Sequence, residues 1–339
     1  MILSQRANKI EPSGTNAVTQ RIRDLKRQGK DVLAFSSGEP DFPTPEHIAL
    51  AGHEAINKGF TKYPPTTGLP ELREAIRDHL EEYYHIAYEP GQVIVTVGAK
   101  QALIEVMMAL LDPGDEVIIP VPCWVSYPEQ VKLADGVPIL IERKVEDNFR
   151  LRPEQVAEKI TPRTKLMIFC NPDNPTGTVM QEEDIRGIAE LALKHRFYVI
   201  SDEIYSRLTY DGRTHTAFAG ISEKVKQLTI TVNGFSKAYA MTGWRLGYAA
   251  GPDDVIRAGR ALRPFGVRRT RWSSCGWNMT GEGKTWCGNC KPWRGLTATS
   301  RRAPSTCTRT SLPGTAANLA EGRLGVPWIS AGQCWTRRA

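Results

Sequence analysis

The last 76 residues of this 339-residue chain contain no aspartate, histidine or tyrosine, and only nine are Ile, Leu, Val, Met or Phe. So little aliphatic surface cannot offset the entropy of ordering a backbone, and the nine follow neither a helical nor a strand period. Acidic residues are scarce there too: Pro264 to Ala339 carries 12 basic residues against 2 acidic ones, a net of +10. Met1 to Arg263 carries 32 Lys+Arg against 35 Asp+Glu, a net of −3, so the whole +7 charge belongs to the tail. Other absences exclude classes of function. No apolar run reaches membrane length, Ile2 to Lys9 is too polar for a signal-peptide core, and no repeat recurs. Cys123 and Cys170 follow strand-like runs and need not pair, which fits a cytoplasmic location. Met1 to Asp31 is too short for a winged-helix DNA-binding module, and no nucleic-acid or membrane partner is expected.

The tail does hold 6 of the 8 tryptophans and 5 of the 7 cysteines. Trp286-Cys-Gly-Asn-Cys290 has the spacing of a redox centre, but no strand leads into it and no helical pattern follows. Gly281-Glu-Gly-Lys-Thr285 has the wrong glycine spacing for a phosphate loop. Asn278-Met-Thr280 is a glycosylation sequon in a chain without a signal peptide. Arg, Gly, Pro, Ser, Thr, Trp and Cys in such disorder is what GC-rich DNA yields out of frame. Residues 264–339 are therefore expected to be a wrong-frame or disordered tail, the frame changing between about codons 258 and 264. The nucleotide sequence of the gene decides this.

The first 263 residues are organised differently. Five strand-like apolar runs (Val93-Val97, Glu116-Pro120, Lys165-Cys170, Phe197-Ser201 and Leu228-Val232) alternate with helical patterns, notably Lys100-Leu111 and Glu182-His195. Near-continuous Val and Ile fit strands covered on both faces, hence an α/β fold with a mainly parallel sheet flanked by helices. Polar clusters follow each run: Gly98-Ala99-Lys100, Cys123-Trp124, Asn171 to Gly177, Asp202-Glu203-Ile204-Tyr205 and Ser236-Lys237. Ligands bind beyond the carboxyl ends of such strands, so the clusters should converge on one site.

Lys237 follows the last run, among Phe235, Ala238 and Ala240. Partial desolvation there disfavours the ammonium and makes a nucleophilic amine that condenses with aldehydes, of which pyridoxal phosphate is the commonest in biology. The plain alternative is a surface lysine after a strand. Ser236 and Arg245 suit a phosphate, and the opening of a helix at Gly98-Ala99-Lys100 offers free N–H groups to the same anion. Asp202 ends a buried strand, where it either meets a protonated pyridine nitrogen or caps a helix. Asn174 and Tyr205 can both hydrogen-bond a phenolic oxygen, or serve as a turn residue and a packed aromatic. Trp124 can stack on a ring or fill core.

In this order, Gly98-Ala-Lys, Trp124, Asn171-Pro-Asp-Asn-Pro-Thr-Gly177, Asp202-Glu-Ile-Tyr205 and Ser236-Lys237 with Gly243-Trp-Arg245 resemble fold-type I, class I aminotransferases. Within these the chain is similar to the bacterial aspartate aminotransferase branch, some members of which also use prephenate. The resemblance covers about residues 4–262. It implies a pyridoxal 5'-phosphate enzyme with Lys237 as the imine-forming, proton-moving lysine and Asp202 as the pyridinium partner. It further implies Trp124 as the stacking ring, Asn174 and Tyr205 at the phenolic oxygen, and Gly98, Ala99, Lys100, Ser236 and Arg245 around the phosphate. Tyr63, in Lys62-Tyr-Pro-Pro-Thr-Thr-Gly68, matches a tyrosine that reaches the neighbouring subunit's phosphate, which implies a homodimer. Gly38, in Ser37-Gly-Glu-Pro-Asp-Phe42, matches the loop over the substrate carboxylate. Lys100 and Thr15 match positions that accompany dicarboxylic substrates. Substrate-binding residues are thus Gly38, Trp124, Asn174, Lys100 and Thr15, and no metal is implied.

The implied reaction is ping-pong transfer between aspartate or glutamate and a 2-oxo acid, with prephenate as a further acceptor. Kynurenine or aromatic aminotransferases, carbon–sulfur lyases and non-catalytic proteins of the same fold are the alternatives. The implied domains are an N-terminal arm with part of a small domain over 1–45, a large cofactor domain over 46–263, and a tail in place of the remaining small domain. In the resembling family that missing portion carries the arginine that clamps the substrate α-carboxylate. No tail residue has its setting, so slow or absent turnover is expected.

Overall fold

The structure, a computed structural model, describes residues 14–34 and 38–266 together with Ser4, Asn8 and Ile10. The tail motifs and everything else beyond Gly266 lie outside the described residues. A seven-stranded mixed sheet organises the rest: β1 (Val93–Thr96), β2 (Glu116–Val121), β3 (Val137–Glu142), β4 (Thr164–Cys170), β5 (Tyr198–Asp202), β6 (Thr229–Gly234) and β7 (Gly247–Ala250). Their order across the sheet is β1-β7-β6-β5-β4-β2-β3. Only β7 runs against its neighbours, β1 and β6, while the other pairings are parallel. The expected α/β class therefore holds, and the five anticipated strands agree with the observed ones to within one or two residues.

Two strands were not anticipated. β3 is an edge strand with a proline and exposed Val137 and Leu140, so its burial lacks the continuous apolar run used to find the others. β7 consists of Gly247, Tyr248, Ala249 and Ala250; apart from Tyr248 these are weak strand formers, placed by pairing between β1 and β6 rather than by propensity.

Alternation along the strands fills two cores. Val117 and Ile119 of β2, with Leu166 and Ile168 of β4, join Leu103, Val106 and Met107 of helix Ala99–Leu110 and Val255 and Ile256 of helix Asp253–Gly266. Ile118, Met167, Phe169 and Val199 face the other way, onto Ile185, Ile188, Ala189 and Ala192 of helix Glu182–His195. That last helix carries Glu182, Glu183 and Asp184 in its first turn and Lys194 and His195 in its last, charges that complement its dipole. Truncating a fully buried Ile168 or Leu166 to alanine removes about 2–5 kcal/mol, so the strand ends are held on a firm base.

Candidate active site

Because β1, β2, β4, β5 and β6 run the same way, their carboxyl ends share one edge of the sheet, and the five polar clusters meet there. Lys100 Nζ lies 4.7 Å from the centre of the Trp124 ring. The Trp124 and Tyr127 rings meet edge to face at 5.4 Å. Tyr127 hydroxyl donates to Asp202 Oδ2 at 2.7 Å. Asn174 Nδ2 donates to the Tyr205 hydroxyl at 3.2 Å, and Lys237 Nζ is 5.8 Å from the centre of the Tyr205 ring. The chain of contacts therefore runs from the end of β1 to the end of β6.

Asp202 is buried, and desolvation raises its carboxyl to about 6, a rise only partly opposed by donation from Tyr127 and from the Ile204 N–H. The carboxylate already has two partners within the chain. Oδ2 accepts from Tyr127 and Oδ1 from the Ile204 N–H at 3.2 Å. Two neutral donors do not compensate a full charge at such depth, so a cation placed against this group would be favoured. Tyr127 was missed in the sequence. It lies at the start of helix Ser126–Leu133, three residues after Trp124, and its backbone N–H donates to the Trp124 carbonyl at 3.0 Å.

Lys237 sits in the turn after β6, where burial lowers its basicity, Glu39 opposes that effect and Arg245 adds to it. Its ammonium donates to the Gly38 carbonyl, and the Thr242 hydroxyl donates to Glu39. Thr44 Oγ1 donates to the Ala240 carbonyl at 2.7 Å and accepts from Trp244 Nε1 at 3.1 Å. Residues 38–44 therefore lie along the Lys237–Arg245 segment, with the Gly38 backbone directly at the amine. A lysine with lowered basicity holds more neutral amine near neutral pH, the form that acts as nucleophile or base.

The anion end is built around Gly98. This residue has φ +78°, and a Cβ there would meet Arg245 Nη2 at 2.4 Å. Only glycine combines that backbone with so close a guanidinium. Gly98 precedes helix Ala99–Leu110, whose first turn carries no acidic side chain, so its free N–H groups and Arg245 present positive charge to one place. Gly247 completes the approach, since a Cβ on it would meet the Ala99 backbone nitrogen at 2.4 Å. Lys100 is exposed at this mouth, its basicity lowered by burial of part of its stem and by Arg245. Ser236 is half-buried, and its carbonyl accepts the Met241 N–H at 3.1 Å.

Tyr63 is 91% exposed. Thr15 falls in helix Gly14–Arg27, and the expectation for its side chain lies outside the described residues. Among the described residues there is no group of three or more His, Cys, Asp and Glu that could hold a metal, and no helix long and apolar enough to cross a membrane.

A family model for class I and II aminotransferases matches residues 30–275. The chain belongs to that family. It is 49% identical over 258 residues to an aspartate aminotransferase of Geobacillus stearothermophilus, covering 76% of this chain and 66% of that protein. It is 50% identical over 256 residues to a probable aspartate/prephenate aminotransferase of Thermus aquaticus, with the same coverage of 76% and 66%. The chain thus spans just under two thirds of the length of these curated relatives. Among solved structures, the aspartate aminotransferase of Thermus thermophilus with maleate superposes with a TM-score of 0.77 at 44% identity, covering 82% of this chain and 71% of that one. An aromatic aminotransferase of Pyrococcus horikoshii superposes with a TM-score of 0.68 at 40% identity, covering 74% and 66%.

Pyridoxal phosphate is the cofactor of this family, and the residues present fit it on three observations. Asp202 is a buried carboxylate short of a cation. Gly98, lacking a side chain, lets the Arg245 guanidinium lie against the backbone at the start of helix Ala99–Leu110. Lys237 is an amine of lowered basicity on the same edge of the sheet.

Proposed function

We propose that this chain is a pyridoxal-phosphate-dependent aminotransferase built to move an amino group between a dicarboxylic amino acid, aspartate or glutamate, and a 2-oxo acid, with prephenate as a further acceptor, and that its turnover is slow or absent for want of the arginine that would clamp the substrate α-carboxylate. One observation carries the reading: a buried carboxylate, a half-buried amine and an arginine over a helix N-terminus converge on one sheet edge. When bound, the cofactor supplies an electron sink for charge developing at the substrate Cα. The protein's residues do the rest. Arg245 and the N–H groups after Gly98 bind the phosphate, and Ser236 adds a hydroxyl. Asp202, steadied by Tyr127, keeps a negative charge against the ring nitrogen. Tyr205 donates to the phenolic oxygen while accepting from Asn174, and Trp124 covers the ring. Lys237 Nζ moves the proton on and off the substrate Cα.

Lys100 is the cation placed for a distal carboxylate, and Gly38 lines the path to Lys237. That placement, with the printed names of the relatives, favours aspartate over an aromatic donor. We assign residues 46–263 to the large domain and 1–45 to an arm and part of a small one. Tyr63, exposed here, is assigned to a neighbouring subunit's phosphate in a cytoplasmic homodimer. Residues 264–339 are assigned to a wrong-frame tail, a reading supported by the composition of the tail.

The test is a half-reaction. Protein loaded with pyridoxal phosphate should show a visible band that aspartate bleaches and 2-oxoglutarate restores, more readily than tyrosine and its keto acid do. A band that responds to tyrosine but not to aspartate contradicts the dicarboxylate assignment.

A further inference from the structure

Behind the site lies a buried acid–base pair that the proposed chemistry does not use. Glu203, next to Asp202, has a side chain 0% exposed, and the His215 side chain is 3% exposed. His215 Nε2 stands 3.1 Å from Glu203 Oε2. Neither atom has another hydrogen-bond partner among the described residues. Glu203 Oε1 accepts from the Ser201 hydroxyl at 3.0 Å and the Phe218 N–H at 3.4 Å. A carboxylate oxygen this deep is costly unless the facing nitrogen brings a proton. On the other side of the ring, His215 Nδ1 lies 3.4 Å from Asn171 Nδ2. An amide nitrogen can only donate, so Nδ1 accepts and the ring proton stays on Nε2, toward Glu203. Neutral His215 satisfies both neighbours at once.

Those neighbours are the roots of two site loops. Asn171 opens the loop that carries Asn174. Its Oδ1 accepts the Met180 N–H at 3.0 Å, and its own N–H donates to the Asp202 carbonyl at 3.0 Å. Glu203 lies between Asp202 and Tyr205. We propose that His215 is a positioning residue for the cofactor. By tying Glu203 to Asn171, it holds Asn174 donating to Tyr205 and leaves the Tyr205 hydroxyl free to donate to the cofactor's phenolic oxygen. A hydroxyl that accepts one hydrogen bond donates a stronger second one. The inference rests on the reading that pyridoxal phosphate binds at Lys237. The titratable groups facing the Glu203 charge are Asp202, Tyr84, Tyr88 and Tyr248, with Tyr239 and Arg207 beyond Tyr84.

The test compares His215→Met, which fills the volume without a donor, with His215→Gln, whose amide can replace Nε2–H. Both are first checked for wild-type far-UV circular dichroism. The readouts are the pyridoxal phosphate dissociation constant and the pH midpoint of the visible band in the full chain. Loss of a firm donor at the phenolic oxygen disfavours its anionic form. His215→Met should therefore weaken binding about tenfold and raise the midpoint by about one unit, and His215→Gln should bring binding back to within about threefold. Should His215→Met fail to fold, the Glu203→Gln/His215→Met pair removes the stranded charge and is read in the same way. A folded donor-less variant with wild-type affinity and midpoint overturns the inference, as does His215→Gln behaving like His215→Met. No visible band in the wild type contradicts the site reading itself, whereas a normal band indifferent to all these changes sinks this inference alone.

Discussion

Asp202→Asn should make the cofactor-free protein more stable while impairing cofactor binding. The carboxyl of Asp202 is raised from 3.8 to about 6, with burial as the leading cause. Between those values the folded state keeps a proton that the unfolded state has released, so stability falls as pH rises through this window. Below it the penalty is absent, and above it the penalty is fully present. A shift of this size amounts to about 3 kcal/mol at about pH 7.5 and about half of that at about pH 5. Asparagine escapes it, because its Oδ1 can accept the Ile204 N–H while its amide donates to Tyr127. Denaturant unfolding of cofactor-free wild type and variant at both pH values gives the comparison, and the difference between the two pH values cancels local packing effects. The advantage of Asp202→Asn should grow by about 1–2 kcal/mol from the lower to the higher pH. With pyridoxal phosphate added the order should reverse, since only the charged carboxylate gains from a cation. An advantage that stays flat or shrinks with pH would show that Asp202 is not held as a reluctant anion.

Three further outcomes follow from the same geometry. Gly98→Ala puts a Cβ 2.4 Å from Arg245 Nη2 at φ +78°. It should cost about 1–3 kcal/mol of stability and weaken phosphate and pyridoxal phosphate together, as followed by thermal melts with and without ligand. Tyr127→Phe removes the 2.7 Å donor that opposes the rise of Asp202. It should lower pyridoxal phosphate affinity about tenfold, a loss of about 1.4 kcal/mol measured by spectroscopic titration. Arg143 Nη2 and Asp173 Oδ2 form a deeply buried pair at 3.0 Å that pins the Asn171–Gly177 loop. Asp173→Ala strands the guanidinium and should lower unfolding free energy by about 3–5 kcal/mol.

How much of this was legible in the sequence depended on the kind of residue. Strands buried on both faces announced themselves as Val and Ile runs, and their carboxyl-end clusters gave the site. β3 did not, because an edge strand needs no such run, nor did β7, whose small residues are ordered by their neighbours. Lys237, Asp202, Asn174 and Arg245 became candidates through the order of motifs they share with a known family, since each residue alone had a plain structural alternative. Tyr127 and His215 were not, since a tyrosine in a helix and a histidine in a loop become informative only when their partners are in view. The hydrogen bond that Tyr127 makes to Asp202, 75 positions away, leaves no local pattern in the sequence.

The central claim is that this sheet edge holds pyridoxal phosphate on one particular amine. Borohydride reduction of the protein with a stoichiometric amount of pyridoxal phosphate, followed by peptide mass mapping, addresses it directly. The account predicts a pyridoxyl mass increment on Lys237 alone, abolished in Lys237→Ala even though Lys100 remains at the mouth of the site. Label spread over exposed lysines, or lodged on Lys100 with Lys237 untouched, would contradict it.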